Sequence, residues 1–229
     1  MTQTVVVLAA GLGSRLGRPF PKPLTHLANG TSILERQIGL LRQQLGDGAR
    51  IHIVVGFKME LVMEAAPGCL FVYNEVFDST NTAKSLLRAL RASPDGPVLW
   101  LNGDVVFDPS VLDRIAGMVG GETSFVCVFP GVVGAEEVTY LLDAEGYIAG
   151  IGKELPGGLG EAIGINYVSA ADKESLVAGL ERCSDNDYFE RGIEYAIGDG
   201  ARFLAVDIGA GTAVEVDVED DLRRANDLT

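Results

Sequence analysis

The chain has 229 residues and a mass of 24.2 kDa, with 47% hydrophobic and 22% charged residues. This apolar content is enough for a sizeable core and excludes intrinsic disorder. The net charge of −14, from 32 acidic and 18 basic residues, argues against nucleic acid or an anionic membrane surface as a partner. No run approaches the roughly 20 apolar residues of a membrane helix. Three widely spaced cysteines favour reduced thiols in a cytoplasmic protein. From the length of the chain we expect one domain over residues 1–229.

Apolar and amphipathic runs alternate along the first half of the chain. Ser32 and Glu35 have capping-box spacing, and the stripe that follows predicts a helix ending near Gly46. Asn81 is a suitable N-cap for a later helix. The predicted elements are a strand at 4–9, a helix at 32–45, a strand at 51–55, a helix at 58–65, a strand at 70–73, a helix at 81–92 and a strand at 98–101. This order predicts an α/β fold with a mostly parallel sheet and helices on both faces.

The pattern changes after Glu122. Strand candidates at 123–129, 138–143, 147–151 and 162–168 follow one another with few helices between them. We therefore expect an antiparallel subregion, at about residues 123–168, added to the sheet. The remaining predicted elements are helices at 170–182 and 188–197, strands at 203–206 and 213–217, and a last helix at 219–226.

A glycine-rich loop follows the first predicted strand. The segment is Ala9-Ala10-Gly11-Leu12-Gly13-Ser14-Arg15-Leu16, and Pro21-Lys22-Pro23-Leu24 comes soon after it. Such a loop lets backbone N–H groups approach a polyphosphate, while Arg15 and Lys22 add positive charge. The alternative is a tight turn with incidental surface charge, which the combination with Arg15 and Lys22 disfavours. A dinucleotide fingerprint fails because Leu16 occupies its third glycine position, and no Walker A sequence follows.

Two aspartates follow predicted strands. Asp104 comes just after the strand at 98–101, and Asp217 ends the strand at 213–217. Ligand sites of doubly wound sheets lie at the carboxyl ends of strands, and Mg²⁺ is usually bound by one or two carboxylates together with substrate phosphates. This placement predicts that Asp104 and Asp217 bind Mg²⁺. The alternative, a helix cap or a solvated turn, suits the acidic residues at helix starts, such as Asp108, better.

The loop and its Pro21-Lys22-Pro23-Leu24 segment resemble the signature of the nucleotidyltransferases that make sugar-nucleotides and CDP-alcohols. The resemblance extends over nearly the whole chain and implies a Rossmann-like α/β/α sandwich with an antiparallel, acceptor-binding insertion. It implies catalytic roles for Arg15, Lys22 and Asp104, and Mg²⁺ held by Asp104 and Asp217. The nucleotide-binding residues that it implies are Ala9, Ala10, Gly11, Gly13, Ser14, Arg15, Lys22, Asn81, Ser85 and Gly103.

The segment from Thr80 to Leu86 is similar to the Thr-Asn-x-x-x-Ser-Leu pattern of the phosphocholine cytidylyltransferase group. This resemblance implies transfer of CMP from CTP, with release of pyrophosphate, to an acceptor of the phosphocholine, 2-aminoethylphosphonate or inositol-1-phosphate type. It implies acceptor contacts for Lys153 and Glu161, and a carboxylate with the Tyr188 ring can hold an ammonium group. Core packing is the alternative for Tyr188.

Two other functions stay open at this point. One is a sugar-1-phosphate nucleotidyltransferase that uses UTP, GTP or dTTP, against which the unusual Thr80-Asn81-Thr82 sequence counts. The other is a catalytically silent nucleotide-binding regulatory protein, against which the retained charged residues count. In each case we expect small-molecule ligands, no nucleic acid or membrane partner, and a monomer or homodimer.

Overall fold

The computed structural model describes residues 3–13, 18–132, 134, 137–153 and 155–229. The strands are Thr4–Ala9 (β1), Arg50–Val55 (β2), Leu70–Tyr73 (β3), Val98–Asn102 (β4), Val105–Phe107 (β5), Ser124–Pro130 (β6), Thr139–Leu142 (β7), Ile148–Gly152 (β8), Gly160–Val168 (β9), Phe203–Asp207 (β10) and Ala213–Glu215 (β11). The helices are Ile33–Leu45 (α1), Met59–Ala65 (α2), Thr82–Ala92 (α3), Pro109–Ala116 (α4), Lys173–Arg182 (α5), Phe189–Gly198 (α6) and Glu219–Asn226 (α7), with a 3-10 helix at Lys22–Leu24.

The central sheet has the strand order β10-β6-β9-β4-β1-β2-β3. Six of these strands run parallel to one another, and β9 runs antiparallel to its neighbours β4 and β6. A hairpin of β7 and β8 joins the sheet beside β9, and a separate two-stranded antiparallel sheet consists of β5 and β11. The predicted α/β class with a mostly parallel mixed sheet is therefore confirmed.

The sheet carries helices on both faces because its strands are apolar on both sides. In β1 all six residues are buried, and Val6 and Leu8 belong to one core while Val5 and Val7 belong to the other. The first core is closed by α3, α5 and α6, and the second by α1, α2 and α4. This alternation follows from the two-residue period of a strand and produces the three-layer sandwich.

Local sequence signals set several helix boundaries as predicted. Ser32 and Glu35 form a reciprocal capping box at the start of α1. The Asn81 side chain accepts a hydrogen bond from the Thr82 N–H at 2.8 Å, and Asp108 accepts one from Ser110 at 2.9 Å. These bonds satisfy backbone donors that have no partner in the first turn of a helix.

The antiparallel subregion expected at residues 123–168 is present, since β6 pairs with β9, β9 with β7 and β7 with β8, all antiparallel, but the sequence did not reveal where its strands join the sheet. Its first and last strands, β6 and β9, belong to the central sheet, and β9 lies between β4 and β6. Only the β7–β8 hairpin lies off the main path of the sheet. A strand buried on both faces is apolar without alternation, so its pattern does not reveal that it occupies the middle of a sheet. The strand β5 was not predicted, because three residues are too few to show a period.

The carboxyl end of the chain covers one edge of the sandwich. Leu222 and Ala225 of α7 join a third, smaller apolar cluster with Leu27 and Val106. This packing holds α7 beside the β5–β11 pair. Among the described residues, no helix combines the length and apolar character needed to cross a bilayer.

Candidate active site

A cavity of about 760 Å³ lies at the carboxyl ends of β1 and β4. The parallel register that pairs Leu8 with Asn102 brings these two ends together. Ala9, Ala10, Gly11 and Gly13 line the cavity, as the glycine-rich loop predicts. Ser14 and Arg15, which the sequence assigns to phosphate binding, lie outside the described residues.

Lys22 begins the 3-10 helix and lies directly beneath the loop. Gly13 has a φ of +61°, and a Cβ at this position would lie 2.8 Å from Cγ of Lys22. Glycine is therefore required both by the backbone conformation and by the close approach. The flanking Pro21 and Pro23 restrict the segment, and the Leu24 N–H donates to the Pro21 carbonyl at 2.9 Å. Loop and lysine are held together in this way.

The turn that carries Asp104 is clamped from behind by Gln37. This side chain of α1 is buried, and its Nε2 donates to the carbonyls of Asn102 at 2.9 Å and Val105 at 2.7 Å. The two carbonyls stand on either side of the turn, so one amide group fixes both of its ends. Buried carbonyls require such partners, because an unpaired one costs about 1–3 kcal/mol.

Gly103 lies behind Asp104. Its N–H donates to the Leu8 carbonyl at 2.9 Å, and a Cβ would lie only 2.7 Å from that oxygen and 2.9 Å from Cγ of Pro23. The residue therefore lets the turn approach β1 closely and positions the Asp104 carboxylate. Its N–H is engaged within the protein, so the nucleotide contact expected for Gly103 stays a prediction.

The second acidic element is joined to the first through the backbone. Strand β11 pairs with β5, and the N–H of Val216 donates to the Asp104 carbonyl at 3.0 Å. Beyond it, the Asp221 carboxylate accepts the N–H of Asp217 at 2.9 Å. Glu215 and Asp217 are thereby held beside Asp104, although more than 100 positions separate them in sequence.

The Lys22 ammonium lies between the two predicted metal ligands. It donates to Oδ2 of Asp104 at 3.2 Å and also to Oδ1 of Asp217, and its side chain is only 13% exposed. Burial by itself would lower the pKa of Lys22, but the charges of Asp104 and Asp217 outweigh this effect and raise it. Burial raises the pKa of Asp104, against the opposing effect of Lys22. The Lys22 ammonium and the carboxylates of Asp104 and Asp217 thus partly compensate one another's charge in a partly desolvated site.

Glu215 completes a three-carboxylate cluster that the sequence prediction did not include. One oxygen from each of Asp104, Glu215 and Asp217 lies within 4.8 Å of the others. Burial, followed by the charges of the two aspartates, raises the pKa of Glu215 well above its usual value. Hard oxygen donors in this number fit a divalent cation such as Mg²⁺, and the Lys22 ammonium already marks the point where positive charge is favoured. The Glu215-Val216-Asp217 sequence at the end of β11 was the available signal for Glu215.

The amino terminus of α3 also lies at the cavity. Asn81 and Ser85, for which the resemblance implies nucleotide contacts, both line it. The Ser85 hydroxyl accepts a hydrogen bond from Nδ2 of the buried Asn74 at 3.0 Å, while Asn81 caps the helix. Both side chains therefore have structural roles, and their contacts with a nucleotide stay predictions.

The three predicted acceptor residues line the same cavity. Lys153 follows β8 with its Nζ 5.0 Å from the centre of the Tyr188 ring, and Tyr188 is 39% exposed, so it is not a core residue. Burial, followed by the charge of Glu137, raises the pKa of Glu161 to about 7. Lys153 and Tyr188 thus form a cation–π contact at this end of the cavity.

Glu190 is a further buried carboxyl at this end that the sequence analysis missed. It lies in the first turn of α6, lines the cavity and is 7% exposed. Burial raises its pKa to about 7 despite the charge of Lys153. A glutamate in a helical segment is usually solvated, so no local signal distinguished this residue.

The chain is similar to known proteins both in sequence and in fold. The sequence profile of the MobA-like NTP transferase domain matches residues 5–153. A CMP-5'-(3-aminopropyl)phosphonate synthase from Streptomyces rubellomurinus is 45% identical over 121 residues, which are 48% of this chain and 18% of that protein. The chain thus accounts for less than a fifth of the length of this relative.

Two solved structures share the fold. The inositol-1-phosphate CTP transferase from T. maritima superposes with a TM-score of 0.78 at 17% identity, covering 99% of this chain and 96% of that one. The CTP:phosphocholine cytidylyltransferase from Streptococcus pneumoniae gives 0.77 at 19% identity, covering 100% and 99%. The profile match extends from β1 to the end of β8 and contains the loop, Lys22 and Asp104. The chain belongs to the MobA-like NTP transferase domain family of nucleotidyltransferases.

Proposed function

We propose that the protein transfers CMP from CTP to a small phosphorylated or phosphonylated alcohol or amine and releases pyrophosphate. The observation that carries this proposal is the Lys22 ammonium, which is paired with Asp104 and Asp217 beneath a glycine-rich loop in a cavity of about 760 Å³. This arrangement places one cation, an acidic cluster and free space for a nucleotide at one edge of the sheet. We further propose that the whole chain acts as one domain.

The chemistry requires no general base. An oxygen of the acceptor phosphate or phosphonate attacks the α-phosphorus of CTP, and the bond from that phosphorus to the bridging oxygen breaks. Pyrophosphate leaves with the bonding electrons. Because the attacking oxygen is already an anion near neutral pH, the protein has only to position it and to neutralise charge. Lys22 and Arg15 hold phosphate oxygens in this scheme.

Mg²⁺ fits the acidic cluster. Asp104 and Asp217 would hold it, with Glu215 beside them, and the bound ion supplies positive charge that neutralises the reacting phosphates. The N–H of Val216 donates to the Asp104 carbonyl, and the N–H of Asp217 donates to the Asp221 carboxylate. The spacing of the cluster therefore does not depend on flexible side chains alone.

The choice of CTP rests on the sequence around Asn81 and on the relatives. The segment from Thr80 to Leu86 lies at the cavity through Thr80, Asn81, Thr82 and Ser85. The similar proteins described above include a CMP-phosphonate synthase and two CTP-dependent transferases. The phosphonate relative and the phosphocholine enzyme favour an acceptor that carries nitrogen, whereas the T. maritima enzyme uses a polyol phosphate.

Pyrophosphate release with each of the four ribonucleoside triphosphates and dTTP, in the presence of Mg²⁺, tests the proposal. The acceptors are phosphocholine, 2-aminoethylphosphonate, inositol-1-phosphate and a hexose-1-phosphate. We expect release with CTP and one of the first three acceptors. Release with UTP, GTP or dTTP and the hexose-1-phosphate would instead identify a sugar-1-phosphate nucleotidyltransferase. Binding of CTP without release for any acceptor would identify a regulatory protein.

A further inference from the structure

Glu190 stands where two cavities meet. The main cavity contains Lys22, and a second cavity of about 480 Å³ adjoins it, with Val138, Lys153, Tyr188 and Glu190 in the lining of both. The side chain of Glu190 is 7% exposed, and its Oε2 has no hydrogen-bond partner among the described residues. A buried acceptor oxygen without a partner is unfavourable, and at Glu190 the adjoining cavities leave room for a ligand that donates to it.

The end of the cavity that Lys153, Glu161, Tyr188 and Glu190 line, called the acceptor end below, holds more carboxyls than cations among the described residues. The charge of Lys153 acts favourably on Glu190, but its Nζ also lies 5.0 Å from the Tyr188 ring. Glu161, a second partly buried carboxyl, lines the same cavity next to Glu137. Among the described residues, the carboxyls of Glu137, Glu161 and Glu190 thus line this end of the cavity with two cations, Lys153 and Arg224, of which Arg224 is exposed. Such an excess favours a cationic ligand.

We propose that Glu190 binds a primary ammonium group of the acceptor. This inference rests on the proposed function and narrows it. A primary ammonium brings both the positive charge and an N–H donor that Oε2 of Glu190 lacks. A trimethylammonium group has the charge but no N–H, and a polyol hydroxyl has a donor but no charge. Tyr188, which is 39% exposed and lines both cavities with Glu190, offers its ring for a cation–π contact with the same group.

The two ends of such an acceptor fit one continuous space. Lys22 and Asp104 line the main cavity together with Glu190, and the charge of Glu190 reaches Glu215 of the acidic cluster. The phosphate or phosphonate end of the acceptor therefore faces Lys22 while its ammonium end faces Glu190. A bipolar molecule of this kind is an aminoalkyl phosphate or aminoalkyl phosphonate.

Three acceptors that share one skeleton test this inference: phosphoethanolamine, phosphocholine and ethyl phosphate. They carry a primary ammonium, a trimethylammonium and no nitrogen, respectively. For the unmodified protein we expect kcat/KM with CTP to be about 10- to 100-fold higher for phosphoethanolamine than for either other acceptor, the range for a charged hydrogen bond. This ranking requires no variant, so it does not depend on the folding of one.

Glu190→Gln then removes the charge while keeping the size of the side chain. We expect it to reduce the preference for phosphoethanolamine over ethyl phosphate to within about threefold, with an unchanged KM for CTP. Glu190→Asp should keep part of the preference. The matched control is Glu174→Gln, because Glu174 lies in the first turn of the neighbouring helix α5 and is exposed. It should keep the full preference.

The outcomes distinguish a failure of the role proposed for Glu190 from a failure of the proposed CMP transfer. An unmodified protein that uses ethyl phosphate or phosphocholine as well as phosphoethanolamine would overturn the role of Glu190, and so would a Glu190→Gln variant that keeps the preference. In both cases the proposed CMP transfer would stand. If no acceptor supports pyrophosphate release with any nucleotide, the proposed function itself fails, and the inference about Glu190 fails with it.

Discussion

The cavity has one end with Lys22 and the acidic cluster (the nucleotide end) and one end with Glu161 and Glu190 (the acceptor end), and the two differ in how their carboxyls are held. At the nucleotide end, the Lys22 ammonium pairs with two carboxylates, and the backbone holds each carboxylate through Gly103, Val216 or Asp221. At the acceptor end, Glu190 is buried, and its Oε2 has no hydrogen-bond partner in the part of the chain that the structure describes. The first end is thus a backbone-anchored cluster of three carboxyls beside one ammonium, while the second holds a buried carboxyl beside two adjoining cavities. In the proposed reaction, the choice of acceptor depends on the second end.

The largest effect is expected at the nucleotide end. Asp104→Asn should lower the rate of pyrophosphate release by about 10³-fold or more, because it removes a charge that the metal and Lys22 both use. Initial rates at saturating Mg²⁺ measure this. Asp108→Asn is the matched control, since asparagine also caps a helix and Asp108 caps α4. Unaltered Mg²⁺-dependent turnover in Asp104→Asn would contradict the assigned role.

Removal of the cation should have the next largest effect. Lys22→Met should cost about 2–4 kcal/mol in transition-state stabilisation, or roughly 30- to 1,000-fold in kcat/KM. Steady-state kinetics with CTP and the best acceptor give the value. Lys173→Met removes a lysine charge from α5, far from the loop in sequence, and should keep normal rates. Equal losses in the two variants would show that Lys22 acts only through stability.

At the acceptor end, the buried carboxyl of Glu190 should make the stability of the protein depend on pH. Burial raises the pKa of Glu190 to about 7 from an ordinary 4.5, so between these values the folded protein keeps a proton that the unfolded chain releases. Stability therefore falls as pH rises through this window. Glu190→Gln removes this fall, and its advantage over the unmodified protein should grow from nothing near pH 4 to about 3 kcal/mol above pH 7.

Urea unfolding at several pH values measures this difference. Glu161, whose pKa is also raised to about 7, keeps part of the slope in the variant. Glu174→Gln should follow the unmodified protein at every pH, because Glu174 is exposed. Parallel curves for Glu190→Gln and the unmodified protein would contradict the unbalanced charge at the acceptor end.

The smallest of these effects concerns the clamp behind Asp104. Gln37→Ala leaves the carbonyls of Asn102 and Val105 without their side-chain donor, and we expect it to lower the free energy of unfolding by about 1–3 kcal/mol. Urea unfolding at one pH is sufficient. Gln43→Ala, an exposed position on the same helix, should change stability by less than about 0.5 kcal/mol. An equal effect of both variants would show that the two hydrogen bonds of Gln37 do not stabilise the turn that carries Asp104.

Much of the fold could be predicted because its signals are local. The capping box at Ser32, the cap at Asn81 and the helix at 219–226 all depend on neighbours within a few positions, and the structure has them as predicted. The glycine-rich loop and Asp104 were also found, because each directly follows an apolar strand. Their chemical roles stay predictions until the variants above are measured.

The acidic cluster and the acceptor end depend on distant contacts. Glu215 reaches Asp104 only through the pairing of β11 with β5, and β5 is too short to show a pattern. Glu190 is buried only because α6 packs between α5, α3 and the β7–β8 hairpin that adjoins the second cavity. No window of the sequence contains these neighbours, so their effect on burial and pKa could not be predicted.

The sequence by itself therefore determined the class of fold, the positions of most elements and the place of the glycine-rich loop after the first strand. Strand periodicity, helix capping and glycine placement act over short distances, and the chain encodes them directly. Only the tertiary structure decided that Lys22 lies between Asp104 and Asp217 and that Glu190 is buried at the junction of two cavities. Electrostatics in a partly desolvated site depends on which groups meet across the fold, and that is a property of the packed molecule.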